Sequence, residues 1–200
     1  MEVEAMRGPV EMIKRALVSF VVSLFLVGTA AAQQASRVAD TFMRDMMGAS
    51  DAAQMQVVIE RHVDVGYLMA GALGSQANDM SPEQLRRFAG GLRGFLASSA
   101  LAVSTQASGA QFTAAGEAPG QGAVVVRGNV TLPRGTAQLP SGGYPVQILV
   151  RREQGSGQER VGDLSIDGNW VSSFLRETVN SLVTVTGGDS EAIVSAMEES

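Results

Sequence analysis

Few side chains in this chain are suited to acid–base chemistry. His62 is the one histidine, and a histidine at the mouth of a cavity can act as a general base. Its place at the end of a helical pattern, near Glu60 and Asp64, favours a helix-terminal structural histidine instead. Asp163 and Asp167 have the spacing of a carboxylate pair for proton transfer, but their place beside a turn favours surface or turn carboxylates.

The composition excludes several other kinds of chemistry. Cysteine is absent, so disulfides, cysteine-ligated zinc, iron–sulfur clusters and thiol catalysis are excluded. No lysine follows Lys14, which rules out a G-x-x-x-x-G-K phosphate loop beyond that point. The formal net charge of −5 argues against nucleic acid as a partner, because nucleic-acid binding depends on a basic face. We therefore predict no metal and no cofactor.

The first 32 residues have the pattern of an export signal. Lys14 and Arg15 precede the apolar run 16–32, which ends in Ala30-Ala31-Ala32. A basic segment, a short apolar segment and small residues at a cleavage site are typical of a secretory signal peptide. We predict a signal peptide over 1–32, a single domain over 33–200 and a periplasmic location, with an uncleaved anchor as the alternative.

Helical periodicity dominates the region before Ser104. Apolar residues recur at helical spacing in three short segments that begin near residues 34, 51 and 64. The clearest helix start is Ser81-Pro82-Glu83-Gln84, because Ser81 and Gln84 can form a reciprocal capping box and proline is tolerated at the first helical position. We expect a helix of about 20 residues to follow.

After Ser104 the periodicity changes to that of strands. The predicted strands are 123–130, 144–152 and 160–166, with a weaker candidate at 111–115. The predicted hairpin loops are Gly116–Gly122, Pro133–Gly143 and Gln154–Gln158. Helical spacing returns after the turn at Asp167-Gly168-Asn169, and Asp189 is expected to cap a last short helix. This order predicts an α+β fold, with a helical layer packed on an antiparallel or mixed sheet.

Both layers carry apolar residues on their inward sides. Phe88, Leu92, Phe95 and Leu96 recur at helical spacing, and strand residues such as Ile148 would face them. Periodicity alone favours a filled core, although a cavity between the layers has the same pattern in a sequence. Trp170, at the start of a helix, is expected in the core, with ligand stacking as the alternative.

Three segments carry a resemblance to a known family. Residues 63–74, with Val63-Asp64-Val65 at the start and Leu73-Gly74 at the end, resemble the "VDF…A…LG" pattern of the MlaC (toluene-tolerance auxiliary component) family. Residues 81–88 are similar to the "(S/T)PEQ…F" pattern that follows it there. Residues 161–168 are similar to the strand end "V-x-D-(V/I)-x-I-(D/E)-G" of that family.

The resemblance implies a soluble periplasmic carrier. It would move phospholipid between an inner-membrane ABC transporter complex and an outer-membrane lipoprotein complex, with the acyl chains in an apolar cavity. It also implies a cone-shaped fold similar to the nuclear-transport-factor-like group, and a hopanoid or other lipid is the alternative ligand. The residues that we expect to line the cavity are Leu68, Leu73, Phe88, Leu92, Phe95, Val124, Val126, Val146, Ile148, Leu164, Ile166, Trp170 and Phe174.

Two other classes of protein remain open. One is a small hydrolase or isomerase on the same fold, for which His62, Tyr67 and Tyr144 are the available cavity groups. The other is an envelope interaction module with a filled core and no ligand. We expect an aspartate at Leu92 or Ile148 to lower lipid occupancy if the cavity exists.

Overall fold

The computed structural model describes residues 33–120, 122–133 and 143–200. Residues 35–200 form one compact unit. The predicted signal peptide and most of the predicted loop 133–143 lie outside the described residues. In the part of the chain that the structure describes, no helix has both the length and the hydropathy of a membrane span.

The order of elements is helices, then strands, then helices. The helices are α1 (33–48), α2 (Ala52–His62), α3 (Val65–Leu73), α4 (Pro82–Gln106), α5 (Val171–Thr186) and α6 (Ser190–Glu198), with a 3₁₀ helix at Gly74–Asp79. The strands are β1 (Gln111–Gly120), β2 (Ala123–Thr131), β3 (Tyr144–Arg152), β4 (Glu159–Ile166) and β5 (Asn169–Trp170). The predicted α+β class is confirmed.

Local capping explains where the helices begin. The capping box at α4 is present, with Gln84 N–H donating to Ser81 Oγ at 3.2 Å and Ser81 N–H donating to Gln84 Oε1 at 2.9 Å. Asp51, Asp64 and Asp189 cap α2, α3 and α6 through their carboxylates. Each start therefore follows from residues within one turn of it.

The strands form one antiparallel sheet in the order β1-β2-β3-β4-β5. Val146, Ile148 and Val150 of β3 are each at most 2% exposed and point to the same face. They belong to one core cluster with residues of every helix. The helical layer thus covers the apolar face of the sheet, as the alternation in β3 requires.

The prediction that Gly116–Gly122 forms a loop is wrong. β1 continues to Gly120 and pairs with β2 up to Gly120 and Ala123, with a register shift between Ala114 and Gly116. Pairing provides hydrogen bonds for these backbone groups, which outweighs the weak strand preference of glycine. Pro119 is tolerated because β1 is an edge strand of the sheet.

Asp64 joins the helical layer to the sheet. Its Oδ1 accepts the Tyr67 N–H at 2.9 Å, and its own N–H donates to the Val161 carbonyl at 2.8 Å. The carboxylate also pairs with the guanidinium of Arg151, which lies 4.4 Å from the centroid of the Tyr67 ring. A Cβ on Gly162 would lie 2.7 Å from Arg151 Cδ, so a larger residue there would displace the Arg151 side chain.

The C-terminal helix α6 packs closely on α4. A Cβ on Gly91 would lie 2.6 Å from the carbonyl oxygen of Met197, so only glycine permits this approach. Arg87 of α4 pairs with Glu191 and Glu198 of α6. These hydrogen bonds to arginine lower the pKa of both carboxyl groups and raise the pKa of Arg87.

Candidate functional site

An apolar cleft lies between the helical layer and the sheet. It consists of two adjoining cavities, a larger arm of about 440 Å³ and a smaller arm of about 180 Å³. Both arms are lined by Met46, Val103, Leu164 and Ile166, so these four residues mark the junction. We call the two cavities together the cleft.

Most of the lining is apolar. The larger arm is further lined by Met43, Met47, Ser104, Gln106, Ala107, Val130, Leu132, Tyr144 and Val146. The smaller arm is further lined by Phe42, Ile59, Val63, Leu68, Phe95, Leu96, Ser99, Ala100, Val161, Asp163, Val171 and Phe174. Among the described lining residues of both arms, none is lysine, arginine or histidine.

The cleft reaches solvent. Val103 is 48% exposed, Ile166 36% and Phe174 56%, although all three are large apolar side chains that line an arm. Exposed apolar residues that are contiguous with a cavity mark a binding groove more often than a random surface. The cleft is therefore suited to a ligand with extended hydrocarbon surface.

The change of side-chain size along α4 accounts for the empty space. In its first half, Phe88 and Leu92 are fully buried in the core. After Leu96, the side chains that α4 presents to the cleft are mostly short: Ser99, Ala100, Val103 and Ser104, with Gln106 the one long side chain among them. One face of a single helix thus passes from a filled core to an open cleft, because residues four apart lie on the same side.

Three flexible side chains form part of the lining of the larger arm. Met43, Met46 and Met47 come from α1. Methionine has three rotatable bonds and a polarisable sulfur, so it adapts to ligands of different shape.

The carboxylate that lines the smaller arm is fully engaged by hydrogen bonds. Asp163 is 7% exposed, and its Oδ1 accepts the N–H groups of Leu164 at 2.8 Å and Ser172 at 3.1 Å. Its Oδ2 accepts the Ser172 hydroxyl. Asp163 therefore ties β4 to the first turn of α5, where the helix dipole also favours a negative charge.

Of the other candidates for acid–base chemistry, Tyr144 lines the larger arm, whereas Tyr67, His62 and Asp167 line neither arm. His62 is at the end of α2, and its Nε2 lies 2.7 Å from Asp45 Oδ2 of α1, so its partner is neither of the predicted carboxylates. Asp167 occupies an exposed turn with φ of 52°. Neither His62 nor Asp167 belongs to the residues that line an arm.

The structure divides the predicted site residues into three groups. Six of them line the cleft: Leu68, Phe95, Val146, Leu164, Ile166 and Phe174. Five are closed into the core at 3% exposure or less: Leu73, Phe88, Leu92, Val126 and Ile148. The remaining two, Val124 and Trp170, are half-buried, and neither of them lines an arm of the cleft.

Sequence reasoning missed the α1 side of the cleft and the short side chains of α4. The methionines of α1 had the same periodicity as a core helix, so no pattern separated them. A signal did exist in α4, where the apolar stripe passes from phenylalanine and leucine to serine and alanine after Leu96. A stripe that continues with small side chains leaves volume that its own residues do not fill.

The structure is therefore that of a small α+β protein, with a helical layer over a five-stranded antiparallel sheet and a solvent-open apolar cleft between them. The family model described as MlaC protein matches residues 33–199. The chain belongs to the MlaC family, as its motifs predicted.

A solved structure shares this fold. It is a phospholipid-binding protein from Ralstonia solanacearum, determined in complex with a phospholipid. Its TM-score is 0.67 at 16% sequence identity, over 83% of this chain and 96% of that chain. A comparison with curated proteins found no match.

Proposed function

We propose that this protein is a periplasmic lipid carrier that encloses the acyl chains of a phospholipid in the cleft. The observation that carries the proposal is the solvent-open cleft itself, with exposed Val103, Ile166 and Phe174 continuous with its apolar lining. Membership of the MlaC family and the phospholipid bound to the Ralstonia protein support it.

Transfer thermodynamics explain why such a carrier is needed. Each buried methylene is worth about 0.8 kcal/mol, so a diacyl lipid with roughly 30 methylenes would cost on the order of 24 kcal/mol to expose to water. A carrier removes most of this barrier by keeping the chains out of water during transfer. It need not bind lipid more tightly than a membrane does, and a comparable affinity permits both loading and release.

The charge distribution supports binding through the chains rather than the phosphate. A phosphate clamp uses arginine or lysine, and the described residues that line the arms include neither. The headgroup of the proposed ligand therefore stays in the solvent while the chains are bound. Loading and release would take place at an inner-membrane transporter complex and an outer-membrane lipoprotein complex, as the resemblance implies.

Native mass spectrometry of the full chain, expressed with export and purified gently from a bacterial envelope, tests the proposal. We expect a population whose mass exceeds that of the protein by one phospholipid. Extraction and lipid analysis then identify the ligand, including a hopanoid if that is the cargo. A bare mass under these conditions would support a ligand-free interaction module instead.

A transfer assay separates binding from carriage. In this assay, a porous membrane that blocks vesicles but passes the protein separates the loaded protein from the acceptor vesicles. We expect the protein to deliver labelled phospholipid to those vesicles. Tight binding without delivery would overturn the carrier function but not the binding site. A hydrolysis product that is lost in the His62→Ala variant would revive the enzymatic alternative.

A further inference from the structure

Two phenylalanine rings bridge α4 and α5 beside the smaller arm. Phe95 and Phe174 stack with ring centroids 6.1 Å apart and planes 13° from parallel. Both rings line the smaller arm, and neither lines the larger arm. Phe174 is 56% exposed, so the stack stands between the smaller arm and the solvent.

The two arms differ in capacity. The larger arm has more than twice the volume of the smaller arm, at about 440 Å³ against about 180 Å³. They meet at the junction residues Met46, Val103, Leu164 and Ile166. A lipid with two chains that separate at the junction would have one chain in each arm, and only the chain in the smaller arm would meet the stacked rings.

We infer, on the basis of the proposed function, that Phe95 and Phe174 set the chain-length specificity of the carrier. The stacked rings restrict the length of hydrocarbon that the smaller arm can enclose, whereas the larger arm accepts a longer chain. The preferred ligand is a two-chain lipid in which the chain in the smaller arm is shorter than the chain in the larger arm. Each methylene that cannot be buried lowers the affinity by about fourfold.

Opposite substitutions at Phe174 test this inference. Phe174→Ala removes one ring of the stack and opens the smaller arm. Phe174→Trp has the opposite effect, because it replaces that ring with a larger one. Because Phe174 is more than half exposed, neither change removes a side chain from the core. Val185→Ala is the matched control, since Val185 lies on the same helix, is 85% exposed and lines neither arm.

The probe is a mixture of phosphatidylcholine vesicles whose lipids share one long chain and differ in the length of the other. The full protein is equilibrated with the vesicles, and the bound lipids are extracted and quantified by mass spectrometry. We expect the alanine variant to prefer a second chain at least one step of the series longer than wild type does. We expect the tryptophan variant to prefer a shorter one, and the control to match wild type.

The outcomes distinguish this inference from the proposed function. Lipid bound by all proteins with one common chain-length profile would overturn the role of the stack and leave the carrier intact. Lower total occupancy without reordering, or a shift in the same direction for both variants, would also overturn it. If wild type binds no lipid at all, the proposed function fails instead.

Discussion

The Val103→Asp substitution would place a carboxylate at the junction of the two arms. Val103 lines both arms, lies on α4 and is 48% exposed in the unloaded protein. The empty protein can keep the new charge in water, so we expect little loss of folding stability. A bound acyl chain would cover the site and remove that water, so the penalty falls on the loaded state.

The magnitude follows from protonation. A carboxyl group that ligand binding removes from water can avoid carrying a buried charge by binding a proton. For an aspartate with an ordinary pKa of about 3.9, protonation at pH 7 costs about 4 kcal/mol, which is about a thousandfold in affinity. At pH 5 the same cost is about 1.5 kcal/mol, or about tenfold. The expected loss is therefore largest at neutral pH and is relieved by acid.

The assay is competitive binding of a labelled diacyl phosphatidylcholine to the purified protein at pH 7 and pH 5. This headgroup keeps its net charge over that range, so the pH dependence reports the protein. Val57→Asp is a closely matched control, because Val57 is a valine on a helix with 49% exposure that lines neither arm. Val103→Asn separates the charge from the change of shape, and we expect its loss to be smaller and independent of pH.

Three results would refute this reasoning. If a folded Val103→Asp variant binds lipid like wild type, the junction is not covered by ligand. If Val57→Asp loses as much affinity, the effect is general and not local. If the loss is the same at both pH values, desolvation of a carboxylate is not its cause.

Four further substitutions test the framework around the cleft. Asp64→Ala should cost about 2–4 kcal/mol in urea unfolding, because it removes the carboxylate partner of the partly buried Arg151 guanidinium and also removes a helix cap. A loss below about 1 kcal/mol would contradict a stabilising ion pair. Gly91→Ala should cost about 1–3 kcal/mol, since its Cβ would meet the α6 backbone at 2.6 Å. By contrast, Gly90→Ala on the same helix meets nothing within 4 Å and should stabilise by about 0.5–1 kcal/mol; equal effects at the two glycines would refute the close approach. Glu198→Gln should flatten the acid side of the curve of folding stability against pH. Because the pKa of Glu198 is lowered in the folded protein, its stabilising contribution is present at neutral pH and is lost as the pH falls below about 4. An unchanged curve of thermal midpoint against pH would count against the ion pair with α4.

The structure also changes one experiment that the sequence suggested. Leu92 and Ile148 are completely buried in the core, so an aspartate at either position would test folding more than lipid binding. The junction residues are better probes because the unloaded protein leaves them partly in water. The distinction depends on exposure, which periodicity does not report.

Local rules were enough for most of the fold. The helix starts at Asp51, Asp64, Ser81 and Asp189 each depend on a side chain that reaches a backbone N–H within three residues. The three main strands follow from short β-branched runs between turn formers. The full length of β1 could not be predicted in this way. The glycine-containing part of β1 forms a strand because β2 supplies the hydrogen bonds for its backbone.

The partners of the polar side chains were a second limit. Asp163 was recognised as a carboxylate near a turn, but its hydrogen bonds to Ser172 cross from a strand to the following helix. His62 meets Asp45, which lies 17 residues earlier on a different helix. Such contacts are set by how the elements pack, and spacing along the chain carries no record of them.

The amino-acid sequence by itself determined the family, the α+β class, the helix starts and which residues are apolar and inward. Only the tertiary structure decided which of those residues close into a core and which surround a cleft. The physical reason is volume: Phe88 and Leu92 meet partners that fill the space beside them, whereas Val103 and the short side chains after Leu96 do not. Filling depends on both walls at once, and the two walls come from distant parts of the chain.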